Sequence, residues 1–258
     1  MSARGTAIVT GASSGIGRAT AVRLARRGYR VVAIARRESR LASLVEEVGG
    51  AAVALPLDCG DVEAVERAMA EVVREQPPVE VVVHAAGHGV LTPFEQQSGA
   101  TLQAMLNVHY LAAATMVRAV LPGMLERGRG HIIGVSSIAT RVSPWGHGGY
   151  TAAKSALTAM LLTLHAEYGH RGVHFTSVHP GVVKTEFFDD PAYAAMPRSV
   201  LKHAIPADRV AAAIERALDR PVLQLTVPRL HGIVGWIGLL CPRLLHGRIA
   251  RSSAPAGQ

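Results

Sequence analysis

A chain of 258 residues and 27.2 kDa, with 49% apolar and 18% charged residues, can bury a substantial core and is too apolar to remain disordered. Its formal charge of +8 comes from 24 arginines and only three lysines spread along the chain, and with 4% aromatics there is no stacking platform to make a nucleic-acid surface of it. Two distant cysteines, Cys59 and Cys241, and scattered histidines without an HExxH pattern give no metal site and point to a reducing, cytoplasmic setting, while the first residues lack the long apolar stretch of a secretory leader.

In chain order, short β-branched runs predict strands over 6–10, 30–35, 51–57, 79–84, 131–136, 174–179 and 222–227. Between them, apolar residues at three-to-four spacing predict helices over 16–27, 38–48, 62–74, 101–126, 151–168 and 207–218. Strands that alternate with helices belong on a parallel sheet covered on both faces. No Ser- or Pro-rich linker divides the chain, so residues 1–228 read as one domain. Two stretches depart from the rhythm. Residues 185–206 carry Phe187, Phe188 and Tyr193 without a period, as a cover over a pocket does. Residues 229–258 form an apolar then basic extension; the apolar run around Trp236 is too short to span a bilayer, and 229–251 reads as a packed segment, with a peripheral membrane contact as the alternative.

The first strand runs into Thr10-Gly11-Ala12-Ser13-Ser14-Gly15-Ile16-Gly17 and then a helix. Glycine permits the tight turn and lets backbone N–H groups approach a pyrophosphate at the positive end of the helix. The GxxxGxG spacing resembles that of the short-chain dehydrogenase/reductase family, and further landmarks follow in order across residues 5–228. Asp58, with Cys59 beside it, stands where the family contacts adenine. His84-Ala85-Ala86-Gly87 ends the fourth strand in place of Asn-Asn-Ala-Gly, a change expected to remove the side-chain hydrogen bonds that steady that strand end. Pro180-Gly181-Val182-Val183-Lys184-Thr185 looks like the loop that holds the nicotinamide carboxamide. The resemblance implies an α/β fold of Rossmann type, doubly wound around seven parallel strands, and a nicotinamide cofactor held by Gly11, Ser13, Ser14, Gly15, Ile16, Gly17, Ala85, Ala86, Gly87, Pro180, Gly181, Val183 and Thr185.

The end of the second strand chooses the cofactor. An acidic residue there accepts hydrogen bonds from the ribose hydroxyls of NAD, but this chain has Arg36 and Arg37, whose guanidinium groups suit a 2′-phosphate. NADP(H) is therefore expected over NAD(H), and the remaining arginines read as decoration of solvated faces.

Tyr150-Thr151-Ala152-Ala153-Lys154 puts a phenol and an ammonium on one helix face at i and i+4. The positive charge is expected to lower a phenol pKa that is ordinarily about 10, so that Tyr150 exchanges a proton near neutral pH. Lysine at this position is informative where arginine is the usual cation. By resemblance Ser137 holds the substrate oxygen, Tyr150 is the general acid/base, and Lys154 also bonds the nicotinamide ribose. Asn107, the single asparagine, organises a water for proton relay, although Tyr110 stands where a glycine often follows that asparagine by three.

The implied reaction is hydride transfer between NADP(H) and a carbonyl or alcohol. A pocket bordered by His88, Ser137, Trp145, His147, Gly181, Phe187, Phe188 and Tyr193 favours a hydrophobic small molecule. The family's habit of pairing its long central helices implies a homodimer or homotetramer. A cofactor-binding sensor without catalysis is the reading from another class.

Overall fold

The structure is a computed structural model that describes residues 4–189, 193 and 201–240, with backbone alone at 234 and 236–239. Among the described residues strands and helices follow one another in order: β1 (Thr6–Thr10), α1 (Gly15–Arg26), β2 (Arg30–Ala35), α2 (Glu38–Glu47), β3 (Ala52–Pro56), α3 (Val62–Glu75), β4 (Val79–His84), α4 (Gly99–Leu106), α5 (Ala112–Glu126), β5 (Gly130–Val135), α6 (Ala139–Val142), α7 (Gly148–Tyr168), β6 (Val173–Pro180), β7 (Val183–Lys184), β8 (Ile205–Pro206), α8 (Ala207–Asp219), β9 (Gln224–Val227) and α9 (Leu230–Leu240). The parallel sheet runs β3-β2-β1-β4-β5-β6-β9. Its order reverses between β1 and β4, and the crevice at that reversal is where open α/β sheets take ligands.

Alternation along the strands builds two cores. On one face Ala7, Val9, Val31, Ala33, Val81 and Val83 pack with Leu24 of α1, Leu41 and Leu44 of α2, and Ile214 of α8. On the other, Ile8, Val32, Ile34 and Val82 pack with Met69 of α3, Met116 and Val120 of α5, and Leu157 and Leu161 of α7. A period of two therefore produces strands apolar on both faces, as a sheet covered on both sides requires.

Three features differ from expectation. The helix expected over 101–126 is interrupted by a π-turn, Asn107–Leu111, between α4 and α5. The wider turn holds one extra residue per turn and re-aims the side chains after it, which brings His109 inward to full burial. Arginines do more than decorate solvated faces: Arg23 of α1 grips Asp208 through two nitrogens at 2.8 Å and Glu215 at 2.6 Å, and Arg27 bonds Asp219, so α1 is tied to α8. A two-residue parallel ladder, Val183↔Ile205 and Lys184↔Pro206, closes the base of the segment read as a cover. Residues 190–192 and 194–200 of that segment, and 241–258 of the C-terminal extension, lie outside the described residues.

Candidate active site

The C-terminal ends of β1, β2, β4, β5 and β6 open onto one cavity of about 900 Å³. Its wall includes all of the residues expected to hold the cofactor, from Gly11 to Gly17, through Arg36, Arg37, Asp58, Cys59 and Ala85 to Gly87, to Pro180, Gly181, Val183 and Thr185.

Gly11 and Gly15 take positive φ (66° and 54°), which lets the chain leave β1 and enter α1 in a few residues. A Cβ on Gly17 would stand 2.3 Å from the Gly11 carbonyl oxygen, so only glycine lets α1 seat on the turn. Ser14 caps α1 in extended conformation without spending its side chain on the helix, and the first turn carries no acidic residue. The N–H groups of that turn and the positive helix end face the cavity, the arrangement that binds a phosphate.

At β4 the expected loss of side-chain hydrogen bonds does not occur. His84 is buried, its Nε2 donates to the Val108 carbonyl at 2.9 Å, and its Nδ1 accepts from the Thr10 hydroxyl at 3.1 Å. The same Thr10 oxygen accepts the N–H groups of Ala85 and Ala86, each at 3.0 Å. An imidazole offers a nitrogen on each side, so His84 bridges β1 to the π-turn. Burial holds it neutral, with a pKa pushed down to about 3.

Beside the turn, Arg37 reaches Ser13 Oγ at 2.9 Å and Ser14 Oγ at 2.8 Å, and pairs with Glu186 at 2.5 Å. Arg40 meets the same carboxylate at 2.7 Å. Arg36 is largely exposed and stands 3.9 Å from Asp58, which accepts the Gly60 N–H at 2.8 Å. Cys59 is buried, and burial pushes its thiol up to about 12, so it contributes a neutral wall.

At the floor, Ser137, Tyr150 and Lys154 come together. Tyr150 lies in the first turn of α7 and Lys154 one turn on, with its Nζ 5.9 Å from the centre of the Tyr150 ring and donating to the Val135 carbonyl at 2.7 Å. Burial dominates the electrostatics. It pushes the Tyr150 phenol up to about 12, with the Ser137 hydroxyl pulling in the other direction, and it pulls the Lys154 amine down to about 7. The expected lowering of the phenol by its lysine neighbour is thus reversed in the chain by itself: Met105, Ala139 and Ala153 surround the ring, and a phenolate there has lost its water.

Asn107 lines the cavity, but its amide is committed elsewhere, donating to the Gly60 carbonyl at 3.2 Å and accepting from Gln103 at 2.7 Å. The residue packed beside Tyr150 is His109, which the sequence reading missed. Its ring stands edge-on to Tyr150 with centroids 5.3 Å apart, its Nε2 donates to the His88 carbonyl at 2.6 Å, and its buried Nδ1 meets no partner among the described residues. Burial, with the Lys154 charge behind it, holds His109 neutral. A histidine in the middle of a long apolar helical run was the available signal.

Phe187 and Phe188 line the cavity, and Phe187 packs against both Tyr150 and Tyr193, at 5.9 and 5.0 Å between ring centroids. His147 packs on the far side, 5.8 Å from Tyr150 and from Tyr193. His147 and Tyr193 back this aromatic wall, and neither they nor Trp145 are among the residues lining the cavity. The Trp145–His147 stretch is tied to the segment before α4, the Gly146 carbonyl accepting from Thr92 N–H at 3.1 Å and from Gln97.

Residues 5–192 match the short chain dehydrogenase family. An uncharacterized oxidoreductase of Myxococcus xanthus is 38% identical over 184 residues, 70% of this chain and 73% of that protein. A fatty acyl-CoA reductase of Mycobacterium tuberculosis is 31% identical over 95% of this chain and 83% of its own length. Among solved structures, a short-chain dehydrogenase from Sphingobium yanoikuyae in complex with NADPH superposes with a TM-score of 0.80 at 27% identity, covering 99% of this chain and 98% of that one.

Proposed function

The chain belongs to the short-chain dehydrogenase/reductase family of oxidoreductases, and from that premise we propose that it interconverts a carbonyl and an alcohol on a hydrophobic small molecule with NADP(H). The observation that carries this reading is the continuity of one cavity from the glycine turn and Arg37 to Ser137, Tyr150 and Lys154. The residues fit the cofactor: the glycine turn lines the cavity at a helix start without an acidic residue, which suits a phosphate, and Arg37 and Arg40 converge on a carboxylate where a 2′-phosphate would bind. Once bound, NADP(H) supplies or takes up the hydride.

The chain's own part is position and proton. Ser137 offers a hydroxyl to the substrate oxygen, and Tyr150, protonated across the neutral range, gives that oxygen its proton in the direction of reduction. Lys154 lies in the same wall, with its ammonium 5.9 Å from the centre of the Tyr150 ring, and is the reservoir from which the proton that Tyr150 gives up is replaced. Phe187 and Phe188 exclude water and select apolar substrates. The same reading extends to a homodimer or homotetramer formed through α5 and α7.

The test is NADPH consumption against aliphatic, aromatic and steroid-like carbonyls, with long-chain acyl-CoA thioesters included because of the acyl-CoA reductase relative. Turnover with NADPH well above that with NADH supports the proposal. NADPH binding without consumption of any substrate returns the sensor reading, and a clear preference for NADH removes the cofactor assignment.

A further inference from the structure

Arg37 and Arg40 lie on the turn after β2 and on α2, whereas Glu186 comes 149 residues after Arg37, from the segment that follows β6. The carboxylate meets Arg37 at 2.5 Å and Arg40 at 2.7 Å, while Arg37 is steadied on its other side by Ser13 and Ser14. Next to Glu186, the Thr185 methyl sits so close to the glycine turn that a Cβ on Gly15 would be 2.8 Å from it. One residue further on, Phe187 packs on Tyr150. A single anion thus spans the two arginines, at the junction between the cofactor half and the substrate half of the cavity.

We propose that Glu186 is an internal occupant of the 2′-phosphate subsite, that the phosphate of NADP(H) displaces it from Arg37 and Arg40, and that Glu186 thereby sets the discrimination between NADP(H) and NAD(H). The proposal rests on the NADP(H) reading above and adds a residue to it. The exchange is favourable in charge. The pair is partly exposed, with 40% of the Glu186 side chain and 44% of the Arg37 side chain accessible, and an exposed ion pair yields readily. A phosphate monoester carries more charge and three acceptor oxygens, enough to satisfy both guanidinium groups. The two arginines also draw the Glu186 carboxyl below its usual range, so it is ionised and competing throughout the neutral range. A ligand with a bare 2′-hydroxyl has no group to oppose the carboxylate and leaves the pair intact.

The probes are 2′,5′-ADP and 5′-AMP, which differ in the 2′-phosphate, titrated by calorimetry into the full chain. Glu186→Gln keeps the side chain's size and removes its charge. We expect this variant to bind 2′,5′-ADP about two- to fivefold more tightly than the natural chain, the range of a lost exposed competitor, with 5′-AMP unchanged. Arg40→Gln should weaken 2′,5′-ADP alone. Hydrogen–deuterium exchange over 183–189 should quicken with 2′,5′-ADP and not with 5′-AMP. If 2′,5′-ADP is favoured over 5′-AMP equally by the natural chain and by Glu186→Gln, the Glu186 proposal falls and the NADP(H) reading stands. If neither protein distinguishes the two ligands, both fall.

Discussion

The Thr10 hydroxyl donates to His84 Nδ1 at 3.1 Å while accepting two backbone N–H groups from the residues that follow His84, which fastens the end of β1 to the end of β4 at the reversal of the sheet. His84→Ala would leave the Val108 carbonyl buried without its donor and open a cavity between the strands. The expected cost is about 2–4 kcal/mol in denaturant unfolding, with a weakened affinity for NADPH because Ala85 and Ala86 line the cofactor cavity. His84→Asn reaches only one side and should recover part of the loss. An unfolding curve for His84→Ala that overlays the natural one would show the bridge to be idle.

Acid should destabilise the fold through its buried histidines. Burial holds His84 and His131 down near 3 and His179 near 4, from an ordinary 6.5. In the window between pH 6.5 and 4.5 the unfolded chain takes up protons that the folded chain refuses, so stability is full above 6.5 and declines as pH falls. Thermal unfolding across this window should show a falling Tm. His131→Gln retains a donor for the Thr176 hydroxyl, which His131 meets at 2.8 Å, and should flatten the slope. A Tm that stays level down to pH 4.5 would contradict the buried-neutral assignment.

Tyr150→Phe removes the proton and preserves the ring that Phe187 and His109 pack against. Turnover should fall by about 10²–10⁴-fold, the usual weight of a positioned acid, while the Kd for NADPH stays within about threefold. Lys154→Arg should not restore activity, since a larger and permanently charged group must fit the site where Lys154 meets the Val135 carbonyl. Steady-state kinetics with fluorescence titration of cofactor separates the two effects.

Two glycines give opposite outcomes to the same change. Gly17→Ala forces a methyl to within 2.3 Å of backbone at Gly11, so α1 must lift from the turn. A loss of about 1–3 kcal/mol of stability and at least about tenfold of NADPH affinity is expected. Gly99, the first residue of α4, has open space where a Cβ would go, and Gly99→Ala should be neutral or stabilising by about 0.4–1 kcal/mol. Equal behaviour of the two variants would deny the close seating of α1.

Local patterns were readable in the sequence and long-range ones were not. The glycine turn and the Tyr150–Lys154 pair are each written within a few consecutive residues, and both sit as expected on the cavity wall. Strand β1 matches its expected bounds because its apolar run ends at a glycine, whereas β9 is shorter than expected because pairing with β6 begins only at Gln224. The π-turn escaped because one additional residue barely disturbs the apolar spacing of a 28-residue helical run. Arg40 and Glu186 escaped for a different reason, since each is unremarkable in its own segment and the pair exists only after the chain has folded back. His84 was misjudged because a hydrogen-bonding role was assigned to amide side chains, when two ring nitrogens span the same gap.

The ladder between β7 and β8 makes the substrate side of the molecule exchangeable. Val183 pairs with Ile205 and Lys184 with Pro206, so the stretch between them leaves and re-enters the scaffold at neighbouring points. A foreign insert grafted between Asp189 and Ile205 would keep Thr185 on the glycine turn, Glu186 on Arg37 and Phe187 on Tyr150, and would leave the main sheet and the Tyr150–Lys154 pair in register. The chain thus offers a natural splice site at which one oxidoreductase scaffold could be given a new substrate range.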